Sequence, residues 1–416
     1  MNDIYKKLLL SMSFAFLSAC GGDDNSGGGD DNGPEPIETI PLNNIANPVV
    51  FTQNYTKDTI LDSVSSQQKQ LLYKMLGVDG VETIASTLVF VPTAAAPTGG
   101  YKIVVWAHGT TGVGDGCAPS VQGLGATASV VQALLNAGYV VVAPDYEGLG
   151  TAGSHPFLNL KSEAFSITDA VVAARDYLSK QGLQVSTQWA TVGHSQGGHA
   201  ALGAAQYAER AQLDYKGTIA FAPASNLHTI LQAGEAQAGT NSILQKLYYP
   251  ALDAFTTLAV AGMQGHNISV DYSQVFKTEL ASVAPKAESE CLAPLIGLLE
   301  QNMQDHLDES NPNFSNYGRL QDNFADIPAI KKFLEQDSQP LLVPITTPIY
   351  IYQGTADLTV PKFVTDILVN TAGSSSTIDY KTDTDTSISP KWSHTTVVTA
   401  NVTSMLSDLN SFIPAQ

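Results

Sequence analysis

The segment Gly193-His194-Ser195-Gln196-Gly197 sets a serine between two glycines. The apolar run Trp189 to Val192 precedes it, and a helical pattern from Gln196 to Ala211 follows. Ser195 is therefore expected on a sharp strand-to-helix turn, which lifts its hydroxyl clear of a sheet; bulky flanking side chains would collide with the adjoining strand and helix. A serine hydroxyl attacks poorly at neutral pH without a base, and the base needs an acid to hold its tautomer. Downstream histidines are His199, His228, His266, His306 and His394. His199 lies on the helix after the turn and should point away from it. His228, His266 and His306 fall in a long helical stretch. His394, in the loop Lys391-Trp392-Ser393-His394 before the last helix, is the expected base. The expected acid is Asp357 in Gly354-Thr355-Ala356-Asp357, just past a strand ending at Gln353. Asp383 and Asp385 compete by proximity to His394, but their threonine-rich surroundings read as a surface turn. Backbone N–H groups must meet the charge that develops on the attacked carbonyl. Gln196 supplies one at a helix start. Thr110 in His108-Gly109-Thr110-Thr111-Gly112 is the expected second, with its hydroxyl available to help.

These residues need a scaffold that brings distant loops to one edge. Short apolar runs at Ser86–Val91, Lys102–Ala107, Tyr139–Ala143, Trp189–Val192 and Thr218–Ala222 alternate with helical patterns at Ala126–Ala137, Ser162–Lys180 and Gln196–Ala211. Strand–helix alternation of this kind predicts a doubly wound, mostly parallel α/β sheet, with ligands at the carboxyl ends of its strands. Gln67–Leu76 reads as a short helix. From Ser225 to Pro344 the rhythm is replaced by helix-like pieces, including Leu292–His306 and Ile327–Glu335, without a buried strand. It resumes with a strand at Ile349–Gln353, a helix at Lys362–Asn370, a polar edge strand near Ile378–Tyr380 and a final helix at Thr396–Phe412. The expected partition is 37–224 and 345–416 as two parts of one core, with 225–344 as a helical cap. Apolar residues of the cap, such as Leu292 to Leu299, could line an acyl tunnel or simply form its core.

The N-terminus carries a separate message. Lys6 and Lys7 precede an apolar run, Leu8 to Ala19, too short to span a bilayer. Residues 1–19 read as a signal peptide. Leu17-Ser18-Ala19-Cys20 resembles a bacterial lipobox, which implies lipidation at Cys20 and membrane attachment. Residues 20–36 are dominated by Gly, Asp and Asn, a tether that cannot bury enough surface to fold. Gly21 after the cysteine resembles lipoproteins sorted to an outer membrane. The remaining cysteines, Cys117 and Cys291, fit either a disulfide of an exported protein or two buried thiols. Acidic residues outnumber basic ones, 39 against 20, for a net charge of −19, which repels nucleic acid. Neither the oligomeric state nor a metal site follows from the sequence.

Taken together, His108–Gly112 with Cys117-Ala118-Pro119-Ser120, Asp145-Tyr146-Glu147-Gly148-Leu149-Gly150, Gly193–Gly198 and Gly354–Asp357 resemble the secretory lipase family, the lipase-A-like branch of the α/β-hydrolases. The resemblance runs from about Ile84 to the C-terminus. It implies a helical cap over the site, an ester or lipid substrate, hydrolysis through an acyl-enzyme and no cofactor. It also implies a disulfide from Cys117 to the cap. Tyr146 and Glu147 match a block at the cleft edge and receive no chemical step; His155-Pro156 is expected to stabilise a loop. Two other readings are a peptidase of prolyl-oligopeptidase type, which usually carries a large N-terminal module, and a binding lipoprotein on an inactive hydrolase scaffold.

Overall fold

A computed structural model describes residues 39–266, 268, 270–307, 314, 317–373 and 375–415. The expected signal peptide, Cys20 and the tether lie outside the described residues. Among the described residues nine strands make one sheet: β1 (Val49–Asn54), β2 (Ser65–Leu76), β3 (Glu82–Pro92), β4 (Tyr101–Ala107), β5 (Val140–Pro144), β6 (Val185–His194), β7 (Asp214–Phe221), β8 (Ile349–Gln353) and β9 (Ile378–Thr382). Their order is β1-β2-β3-β5-β4-β6-β7-β8-β9. Pairing is parallel from β5 through β4 to β9, and antiparallel among β1, β2, β3 and β5.

The continuous apolar run of β4 follows from its place at the centre. Ile103, Val105 and Ala107 enter one core, while Val104 and Trp106 enter the other. A strand covered on both faces has no solvent side to keep polar. The first core is closed by helices α2 (Leu160–Lys180) and α3 (Gln196–Gln206), through residues such as Phe165, Ile167, Ala200 and Leu202. The second is closed by α1 (Ala128–Asn136) and the C-terminal helices, through Val131, Leu134, Met405 and Leu409. Both layers hold the carboxyl ends of β4, β6 and β8 in fixed register.

Two expectations are corrected. The helix expected at Gln67–Leu76 is strand β2, paired with β3 from Ser65 to Leu76. Leu71, Leu72, Met75 and Leu76 have helical spacing, yet Leu71, Tyr73 and Met75 also alternate, and these three are fully buried. Pairing on both edges with β1 and β3 decides for the period of two. The single helix expected at Thr396–Phe412 is broken into α9 (Thr396–Ala400) and α10 (Val402–Phe412). Asn401 at the break turns its side-chain amide back to Val397 O at 2.8 Å.

Between β7 and β8 the regular structure of the described residues is helical apart from one isolated bridge, Phe276 to Leu320. Its main pieces are α4 (Leu227–Ala238), α5 (Ser242–Gly265), α6 (Leu292–Asp305) and α7 (Pro328–Lys332). They share an apolar cluster in which Leu258, Leu295 and Leu299 are fully buried. The Leu292–Leu299 stretch thus contributes core. Arg319 ties this insertion internally, reaching Asp253 at 2.6 Å and Glu235 at 3.0 Å, with its guanidinium over the ring of Tyr249. It is fastened to the sheet side by a Cys117–Cys291 disulfide and by Leu292 N–H donating to Thr111 O at 2.8 Å. One further helix, α8 (Lys362–Ala372), joins β8 to β9. Among the described residues no helix is long and apolar enough to cross a membrane.

Candidate active site

β6 ends at His194 and α3 begins at Gln196, so Ser195 is the single residue of the turn. Its backbone sits at φ 58° and ψ −119°, a conformation disfavoured for any residue with a side chain. The turn fits only because its flanks are bare. A Cβ on Gly193 would lie 1.9 Å from Gly197 O, and one on Gly197 would lie 1.9 Å from Ala107 O. The strain is held by Ser195 N–H donating to Phe221 O at 2.9 Å on the neighbouring strand.

The structure brings Ser195, His394 and Asp357 together from three separate loops. His394 Nε2 is 2.9 Å from Ser195 Oγ, and His394 Nδ1 is 2.8 Å from Asp357 Oδ2. The Asp357 side chain is fully buried. Its Oδ1 accepts the N–H groups of Thr359 and Val360 at 2.9 and 2.8 Å, and its Oδ2 also accepts from Gln353 Nε2 at 3.1 Å. These donors fix its direction. With the carboxylate on one ring nitrogen, the imidazole keeps its proton there and turns a lone pair to the hydroxyl.

Two residues that hold this arrangement carried no local signal in the sequence. His194 Nε2 donates to His394 O at 2.7 Å. Burial, and after it the neighbouring His394, push the His194 imidazole down to about 3, so it stays neutral and adds no charge beside the base. Asp383 is the other. It is fully buried, which overturns its reading as a surface turn. Its Oδ1 accepts Thr355 N–H at 2.7 Å and its Oδ2 accepts Trp392 N–H, so one carboxylate joins the Asp357 loop to the His394 loop. A buried carboxylate needs such donors, and the threonine-rich sequence gave no hint of two amides arriving from elsewhere. Asp385 does lie on an exposed turn, accepting Ser387 N–H at 2.8 Å.

The other histidines are placed elsewhere. His199, on α3, is buried with Nδ1 2.6 Å from Glu163 Oε2. His266 in the insertion reaches Asp79 at 3.0 Å and Ser154 O at 2.8 Å. His306 bonds to Asn302 O on its own helix at 2.8 Å. His228 lines the cavity beside Ser195. His155 stabilises its loop, donating from Nδ1 to Glu147 O at 2.9 Å. Glu147 in turn accepts Val78 N–H at 3.1 Å and the Ser162 hydroxyl, and the Tyr146 hydroxyl donates to His108 O at 2.9 Å.

Ser195, Gln196 and Thr110 border one cavity. Most of the rest of its wall is apolar and comes largely from the insertion: Leu227, Leu231, Leu252, Phe255, Ala259, Phe324 and Phe333. Gln196 opens α3, so its N–H has no acceptor within the helix and lies at the positive end of the helix dipole. The site therefore joins a hydroxyl with a base, a free amide at a helix start and a space suited to a hydrocarbon chain.

Residues 120–406 match the family model for the secretory lipases. None of the curated proteins matches the chain in sequence. Among solved structures, a protein of Legionella pneumophila superposes with a TM-score of 0.66 at 18% identity, covering 88% of this chain and 97% of its own. The rice cell wall degrading esterase LipA of Xanthomonas oryzae, in a ligand-bound form, gives 0.61 at 18% identity, with 88% and 98% covered. Candida antarctica lipase A in its closed state gives 0.62 at 17% identity, with 84% and 78% covered. At such identities the structural likeness speaks for the fold, an α/β-hydrolase sheet, while the family match spans well over half of the chain. On that match the chain belongs to the secretory lipase family and is a carboxylic ester hydrolase.

Proposed function

We propose that this enzyme cleaves acyl esters through a Ser195-His394-Asp357 triad and a covalent acyl-enzyme. The observation that carries the reading is the unbroken line of contacts, 2.9 Å from Ser195 Oγ to His394 Nε2 and 2.8 Å from His394 Nδ1 to Asp357 Oδ2. His394 takes the serine proton as Oγ attacks the ester carbonyl. The N–H groups of Gln196 and Thr110 meet the oxyanion. His394 then gives its proton to the departing alcohol, and water repeats the sequence in reverse to free the acid. Asp357 keeps the ring in one tautomer and stabilises the imidazolium without taking up the proton.

Residues 225–344 act as the cap in this reading, since they supply most of the apolar wall facing Ser195. The acyl chain lies against Phe255, Ala259 and Phe333, and the enzyme is a lipase or esterase for aliphatic acyl groups. The family points to an exported protein. Within that, lipidation at Cys20 and the 20–36 segment would hold the enzyme on the cell envelope, where lipid substrates lie within reach. A panel of p-nitrophenyl esters from acetate to palmitate, hydrolysed by the native enzyme and by Ser195→Ala, tests the reading. Loss of hydrolysis on every ester in the folded variant is expected; persistence of activity would refute it.

A further inference from the structure

We infer that Glu163 is a positioning residue for the oxyanion donor at Gln196, acting through the Gln196 side chain; the inference rests on the ester-hydrolase reading above. Glu163 stands in the first turn of α2 and is fully buried, with no route to substrate. Its Oε1 accepts from Gln196 Nε2 at 2.8 Å. The second hydrogen of the same amide points to His155 Nε2 at 2.9 Å. His155 already donates from Nδ1 to Glu147 O, and burial pushes its imidazole down to about 3, so Nε2 is a lone pair and an acceptor. Both amide hydrogens of Gln196 are thus committed, one to each partner. The amide oxygen has no partner among the described residues. Turning the amide over would set that oxygen against a carboxylate and an imidazole lone pair, so one orientation is fixed.

A side chain held at both hydrogens also holds its own backbone. Gln196 is the first residue of α3 and borders the cavity with Ser195, so the direction of its N–H depends on where its side chain is anchored. A buried carboxylate beneath a developing oxyanion would oppose catalysis if left alone. His199 answers this. Its Nδ1 is 2.6 Å from Glu163 Oε2 and its Nε2 is 3.0 Å from Ser338 O. Both ring nitrogens face acceptors, so the ring is held between the Glu163 carboxylate and the Ser338 carbonyl. The four side chains form one line under the floor of the site, from Ser338 O through His199, Glu163 and Gln196 to His155. None of these bonds belongs to the triad.

The test compares Glu163→Ala, Glu163→Gln and Ser195→Ala by kcat, KM and the affinity for an alkyl trifluoromethyl ketone, whose hemiketal oxyanion occupies the same donors. Glu163→Ala is expected to lower kcat about tenfold to a hundredfold with KM within about threefold, and to weaken the ketone by a similar factor. Glu163→Gln keeps a carbonyl oxygen opposite Gln196 Nε2 and offers an N–H to a neutral His199, so most of kcat should return. Should Glu163→Ala not fold, Gln196→Leu, which keeps the backbone N–H and drops the amide, carries the same expectation. Native kcat in Glu163→Ala overturns the inference, as does a kcat loss with unchanged ketone affinity, or a Glu163→Gln enzyme as slow as Glu163→Ala. A fully active Ser195→Ala would instead sink the reading on which the inference rests.

Discussion

Replacing Asp383 by alanine removes two acceptors at once, for Thr355 N–H and Trp392 N–H. Each bond to a charged group contributes about 1.5–3 kcal/mol when fully buried. Thr355 is exposed and Trp392 half-buried, so water takes up part of the loss. A net destabilisation of about 2 kcal/mol follows, or roughly 2–3 °C in Tm for a chain of this size. Catalysis should suffer more than stability. Without the carboxylate, the His394 loop keeps Ala356 N–H to Trp392 O at 3.1 Å and His194 Nε2 to its own carbonyl at 2.7 Å, which tether it but do not fix its register. A displacement of about 1 Å between base and nucleophile costs on the order of a hundredfold in rate. The expected result is a kcat reduced about tenfold to a hundredfold with KM nearly unchanged, because the cavity wall is built elsewhere. Stopped-assay hydrolysis of a short ester beside a thermal melt measures both. A folded Asp383→Ala enzyme with kcat within about twofold of the native value would refute the clamp.

Three further outcomes are expected. Cys117→Ala with Cys291→Ala opens a closed loop of 174 residues, so stability should fall by up to about 5 kcal/mol on the chain-entropy account; denaturant melts of oxidised and reduced enzyme check it, and identical midpoints would contradict it. Ala259→Phe narrows the cavity beside Ser195, so kcat/KM for long acyl chains should drop about tenfold relative to acetate, and an unchanged chain-length profile would place the acyl group elsewhere. Stability should decline as pH falls from about 6.5. His108, His155 and His194 are held down to about 4, 3 and 3 by burial, so the unfolded chain takes up protons that the fold refuses. At pH 5 this amounts to roughly 2 kcal/mol for each histidine. Asp145, raised by burial to about 6, works in the opposite direction, because the fold binds its proton first. It returns about 1 kcal/mol at pH 5. Tm measured from pH 8 to pH 5 should therefore fall, and a flat profile would contradict the burial of these rings as neutral groups.

Much of the sheet and the candidate nucleophile was legible because local chemistry and tertiary position agree. β4 is apolar on both faces because both are covered, and Gly193 and Gly197 flank the serine because no Cβ fits. β2 was not legible: its leucines satisfy helical and alternating spacing alike, and only the partner strands choose. Asp383 was misjudged for a related reason. Its burial comes from two amides that reach it from loops 28 and 9 residues away, and its threonine neighbours say nothing of them. Asn401 breaks a helix by a side-chain bond that the apolar pattern of Val397, Met405 and Leu409 does not disclose. The insertion between β7 and β8 showed its helical character but not which of its faces borders the cavity, since α4, α5 and α6 all carry apolar stripes.

The central claim, that Ser195 becomes acylated, is met most directly by trapping. Native enzyme treated with an alkyl fluorophosphonate should gain the mass of one phosphonyl group, and peptide mapping should place it on Ser195. Ser195→Ala and unfolded enzyme should gain none. Full labelling of Ser195→Ala, or an adduct mapped to another residue, would contradict the account.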